Sequence, residues 1–105
     1  MAFWYDKKAY ALLKKCSDKL DMREWNEYRK VTNHSLVNLR YANLENFYLI
    51  DADLQNVDLQ NTNFNKAKCT GANVENANIS KSFNWSIYIQ YILFSSLGAL
   101  LLIFI

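Results

Sequence analysis

Leucine returns at every fifth residue in YANLENFYLIDADLQNVDLQN, residues 41–61, at Leu44, Leu49, Leu54 and Leu59. That spacing matches neither the 3.6-residue turn of an α-helix nor the two-residue alternation of a strand. Extended along the chain, the same frame holds Leu39, Leu44, Leu49, Leu54, Leu59, Phe64, Cys69, Val74 and Ile79, all apolar. Two positions before each centre stand Val37, Ala42, Phe47, Ala52, Val57, Thr62, Ala67, Ala72 and Ala77, nearly all small or β-branched. The residue between the two is mostly a short polar group: Asn38, Asn43, Tyr48, Asp53, Asp58, Asn63, Lys68, Asn73 and Asn78. A five-residue unit is too short to bury its own apolar side, so successive units must stack on one another as a solenoid.

The repeated A-(N/D)-L-x-x pattern over residues 37–81 resembles the pentapeptide-repeat family. The resemblance implies a mainly β fold, a short right-handed quadrilateral β-helix in which four units make one square coil. The apolar centre and the small residue two before it point inward, and the other three positions face out. A large side chain then fills the axis of the coil while a small one lets the backbone turn the corner. Asn46, Asp51, Asn56, Asn61 and Asn76, two residues after the centre, suit the corners because Asn and Asp tolerate unusual backbone angles and bond to neighbouring amides. Four units per coil place residues 20 apart above one another, so Leu39, Leu59 and Ile79 share a face, as do Leu44 with Phe64 and Asp53 with Asn73. The solenoid is then about two coils, roughly 10–15 Å tall at about 4.8 Å per layer. Both ends of so short a stack leave backbone edges that invite pairing.

Three segments follow from the distribution of charge: a helical cap at 1–30, the repeats at 31–81 and a tail at 83–105. Residues 1–30 carry eight Lys/Arg against five Asp/Glu, whereas residues 82–105 carry no charge. Apolar residues at Phe3, Ala9, Tyr10, Leu13 and at Leu20, Met22, Trp25, Tyr28 recur at helical spacing, which predicts two helices within 3–30, with Ser17 and Asp18 as cap of the second. WNEYRK at 25–30 is similar to the W-N-x-(W/Y)-R segment that precedes the repeats in bacterial members of the family. That similarity implies that Trp25 and Tyr28 lie over the first coil and shield its end. Lys7, Lys8, Lys14 and Lys15 are either a solvated helix face or a contact for acidic phospholipid.

From Phe83 the chain runs FNWSIYIQYILFSSLGALLLIFI, 23 uncharged residues. As a helix this is about 34 Å, enough for a hydrocarbon core of about 30 Å. Trp85, Tyr88 and Tyr91 cluster at its start, where an aromatic belt meets the head groups. The tail therefore reads as a single transmembrane helix, the alternative being a buried helix of a soluble oligomer. Lys66, Lys68 and Lys81 precede it, which places the repeats on the cytoplasmic side by the positive-inside rule.

The formal net charge of +2 gives no push toward nucleic acid. Cys16 and Cys69 have neither CxxC spacing nor a nearby His, so they read as free thiols rather than zinc ligands or a disulfide. His34 is the sole histidine and falls at the centre of a degenerate unit, as a structural residue at the junction. Asp51 and Asp53 point in alternate directions and make no convergent acid/base pair. The sequence holds no glycine-rich phosphate loop, nucleophile motif or metal-ligand spacing, so no catalytic residue, cofactor, metal or small-molecule substrate is expected. Phe47 occupies a position meant for a small residue and is expected to distort its corner. With Tyr48 and Ile50 outside it, FYLID is the candidate partner surface, unless the lead-in helix or a second copy covers it. The resulting expectation is a membrane-anchored, non-enzymatic interaction or oligomerisation module contacting lipid and a protein partner or its own copies. An oligomeric membrane effector that alters permeability is the alternative. The acidic DNA mimicry of some family members, directed at topoisomerases, fits less well with a short, anchored stack.

Overall fold

A computed structural model describes residues 5–82 of the chain. Helix α1 (Lys7–Asp18) starts where the Asp6 carboxylate accepts from the Ala9 amide at 3.0 Å, satisfying one of the unpaired donors of the first turn. It buries Ala9, Leu13 and Cys16, an i, i+4, i+7 stripe. Helix α2 (Arg23–Val31) buries Trp25 and Arg29 on one face.

The predicted cap of α2 is corrected by the structure. Ser17 and Asp18 close α1, and α2 begins at Met22 without a side-chain cap. Asp21 instead accepts from the Arg23 amide at 3.0 Å and pairs with its guanidinium at 2.7 Å. Those contacts hold the Asp21 carboxyl at about 2, below the ordinary carboxylate range.

The repeat segment winds as a solenoid with a 20-residue coil. Strands β1 (Val37–Asn38) and β2 (Val57–Asp58) pair in parallel, Val37 opposite Val57 and Asn38 opposite Asp58. Single parallel bridges join Asn43 to Asn63, Tyr48 to Lys68, Asp53 to Asn73 and Asp58 to Asn78. Every register is 20 residues, so four five-residue units complete a turn. Each face contributes one or two paired residues before the next corner, which is why formal strand is confined to two short pieces and why the expectation of a mainly β chain holds for the winding but not for strand content.

Corners recur at fixed positions. Tyr41, Asn46, Asp51, Asn56, Asn61, Lys66, Gly71, Asn76 and Lys81 all have φ between 59° and 77°. The residue after each corner donates its amide to the preceding centre, as in Ala42 to Leu39 and Ala67 to Phe64, which with positive φ at the third residue matches a type II turn. The five corners expected from Asn and Asp are all of this kind. Tyr41, Lys66 and Lys81 adopt the same angle because the turn, closed by the next residue's amide on the preceding centre, requires it.

Leu39, Leu44, Leu49, Leu54, Leu59, Phe64 and Cys69 are buried along the axis, with Ala42, Phe47, Ala52, Val57, Thr62, Ala67 and Ala72 beside them. Val74 and Ile79 are only partly buried, as is Ala77, because no complete coil lies above them among the described residues. Phe47 corrects another expectation: its corner is ordinary, with Asn46 at φ 63° and the Phe47 amide bonded to Leu44 at 3.1 Å. It belongs to the first coil, beneath which no other coil lies, and its ring extends toward Tyr10, 5.8 Å away between centroids.

Burial pushes the Cys69 thiol up to about 12 and raises that of Cys16, so neither is a thiolate at neutral pH. Native protein is expected to resist maleimide at both positions, labelling only at the rate of unfolding, as intact-mass measurement with and without denaturant checks.

The tail lies outside the described residues, and with it the span at 83–105 and the interface residues Trp85, Tyr88 and Tyr91. No described helix is long and apolar enough to cross a membrane.

Candidate interaction surface

A two-coil stack has two edges of unpaired backbone, and the helical cap occupies the first of them residue by residue. The Asp6 amide donates to the Asn38 carbonyl at 2.8 Å, and the Tyr10 hydroxyl to the Asn43 carbonyl at 2.8 Å. The Ser17 hydroxyl accepts from the Tyr48 amide at 2.8 Å. Asn26 does both jobs, donating to the Asp51 carbonyl at 3.0 Å and accepting from the Asp53 amide at 2.8 Å. Trp25 Nε1 donates to the Asp53 carbonyl at 2.8 Å. Arg29 Nη2 bridges the carbonyls of Ser35 and Gln55 at 2.6 and 2.8 Å.

These side chains stand where a preceding coil would present its backbone, so the edge cannot template further pairing. Trp25 and Arg29 are fully buried, and the Arg29 guanidinium lies over the Trp25 ring at 6.0 Å. Burial lowers the Arg29 pKa, with the Asp53 carboxylate and Tyr28 pulling it back. Burial likewise raises the Tyr10 pKa, keeping its phenol a donor. The W-N-x-Y-R residues thus do more than shield: three of the four are bonded to the edge.

Four outward faces remain. On three of them the residue before the centre is Asn or Asp, and its side chain accepts from the amide two residues on, as Asn43 does from Glu45 and Asp58 from Gln60. This brace stiffens the outer wall. The fourth face has Tyr48 and Lys68 at that position and lacks it. Tyr48 and Ile50 are half-buried there, whereas Phe47 is 8% exposed. The geometry therefore withdraws Phe47 from the candidate partner surface: α1 covers it through Tyr10 and stitches its neighbour through Ser17.

The large apolar side chains left in solvent are elsewhere. Leu20, just after α1, is 64% exposed, Val31 74%, Leu36 78% and Tyr41 54%, and the last three form a five-residue series that runs from the end of α2 to either side of the Asn38 face. Arg40 on that face lies over the Tyr41 ring at 5.9 Å and within 3.9 Å of Asp58. Tyr41 is not among the residues singled out from the sequence, and the signal that marks it is its corner position two after a centre, where a large apolar group has no inside to point to.

His34 Nε2 lies 2.7 Å from Asp53 Oδ2, tying the junction to the first coil. Asp53 also accepts from the Gln55 amide and side chain. Asp51, two residues away, is exposed at a corner and does not join it. Among the described residues no three His, Cys, Asp or Glu side chains gather as metal ligands.

A family model described as pentapeptide repeats (8 copies) matches the chain twice, over the overlapping residues 35–68 and 42–80. No curated protein and no solved structure matches it.

Proposed function

Because the chain belongs to the pentapeptide-repeat family, we propose that it is a non-enzymatic protein-interaction module whose docking surface is the Asn38 face with Leu36, Arg40 and Tyr41. The uncharged tail holds this module at the cytoplasmic face of a membrane, where a rigid solenoid presents a fixed surface to a protein partner. The observation that supports the reading most is Tyr41, a bulky aromatic more than half exposed at φ 63°. That backbone region costs a non-glycine residue other than Asn or Asp about 1–2 kcal/mol, and the corner carries the ring outward on a wall that the stacked coils hold rigid.

Tyr41→Asn, which restores the usual corner residue, is expected to stabilise the protein by about 1 kcal/mol and raise Tm by about 4–8 °C while abolishing partner capture. A photoreactive residue at position 41 is expected to crosslink one protein of fixed mass in the native host, and the same residue at Asn46, a corner of equal geometry, is expected not to. Crosslinking at both positions alike, or at neither, would contradict the assignment.

A further inference from the structure

The two ends of the solenoid differ in kind. At the first, the cap supplies partners for the edge. At the second, the register that has Leu49 donate to Lys68 and Leu54 to Asn73 leaves the equivalent amides one coil later, those of Lys66, Cys69, Gly71, Val74 and Asn76, without partners among the described residues. They point away from the cap, around the partly buried Val74, Ala77 and Ile79.

Charge is sorted along the same axis. Residues 36–60 hold Arg40 against Glu45, Asp51, Asp53 and Asp58, whereas residues 61–82 hold Lys66, Lys68 and Lys81 against Glu75 alone. The three lysines are exposed and form no ion pair among the described residues. They occupy two successive corners and the following face, about half of the rim. The chain leaves from this end too: the Ser82 hydroxyl donates to the Leu59 carbonyl at 2.7 Å, and the uncharged residues 83–105 follow directly.

We propose that this open end lies flat on the head-group layer of an anionic bilayer, the lysine rim and the row of backbone N–H groups facing lipid phosphates. The proposal rests on the membrane reading of the tail. Phosphate oxygens accept from both kinds of donor, and the head-group layer keeps enough water for the intervening carbonyls, which a hydrocarbon interior would not. With no linker between Ser82 and the tail, insertion of the tail brings this end, and not the capped one, to the surface.

The test is hydrogen exchange of the full chain reconstituted in vesicles of phosphatidylcholine alone and of phosphatidylcholine with phosphatidylglycerol, after flotation has shown that it inserts. Amides of Cys69, Gly71, Val74 and Asn76 are expected to slow at least tenfold in the anionic vesicles, and each of Lys66→Gln, Lys68→Gln and Lys81→Gln to remove about fivefold of that protection. The Leu44 and Leu49 amides, deep in the ladder, are expected not to change. Equal exchange in both vesicles with the chain inserted overturns the proposal while leaving the membrane reading intact. Protection that is present in lipid-free detergent also overturns it, assigning the end to a second copy when it depends on concentration. Failure to float overturns both.

Discussion

Trp25→Ala is expected to lower stability by about 3–5 kcal/mol and Tm by at least about 12 °C, close to the whole margin of a domain this small. Trp25 is fully buried between α2 and the first coil, so truncation opens a cavity that the stacked turns are too constrained to fill. It also strands the Asp53 carbonyl, which accepts from the indole at 2.8 Å, and a buried acceptor left unpaired adds about 1–3 kcal/mol. Trp25→Phe separates the two effects. It keeps most of the volume and loses the bond, and a cost of about 1–2 kcal/mol is expected. Denaturant unfolding followed by circular dichroism measures both, and an unchanged midpoint for the alanine variant would show that the cap does not hold the coil.

Leu59→Asn is expected to abolish cooperative folding. Leu59 is fully buried in the column of Leu39 and Ile79, its amide donates to Asn78 at 2.7 Å, and its carbonyl receives the Thr62 amide. Loss of the side chain costs about 2–5 kcal/mol, and an amide placed on the axis adds about 1–3 kcal/mol. Asp58→Ala, one residue away, is expected to cost about 1 kcal/mol, because only the brace to Gln60 and the exposed contact with Arg40 are lost. The contrast between neighbours measures the five-residue frame itself. Thermal denaturation of the pair decides it, and similar losses at 58 and 59 would argue against the frame.

The frame was readable because it is periodic. Nine centres in register announce an inner wall before any contact is known, and bridges such as Asn43 to Asn63 follow once four units make a coil. Corners were readable only where Asn or Asp occupied them. At Tyr41 and Lys66 the backbone angle is imposed by the turn between two faces that are each laddered to a neighbouring coil, which local preference does not report. Phe47 was misread for a related reason: its size breaks the small-residue rule, but the rule applies to a coil with another beneath it, and beneath Phe47 lies Tyr10. The shielding of the first edge by Trp25 and Tyr28 was expected from the W-N-x-(W/Y)-R similarity, but its hydrogen bonding was not. The bonds made by Asn26 and Ser17 exist only once α1 and α2 lie across that edge. The exposed series Val31, Leu36, Tyr41 was present in the five-residue spacing, yet it draws notice only after the inner wall has claimed the other apolar residues.

That helix side chains replace a missing coil is tested most directly by amide exchange at Asp53, followed by NMR in the unmodified protein and in Asn26→Ala. The Asp53 amide donates to Asn26 Oδ1 at 2.8 Å, and its counterpart one coil on, Asn73, donates to the Ala52 carbonyl at 2.9 Å. The two amides are expected to be protected to a similar degree in the unmodified protein. Asn26→Ala is expected to release Asp53 while Asn73 stays protected. Rapid exchange of Asp53 with Asn26 in place, or protection that survives its removal, would contradict the closure of that edge by the cap.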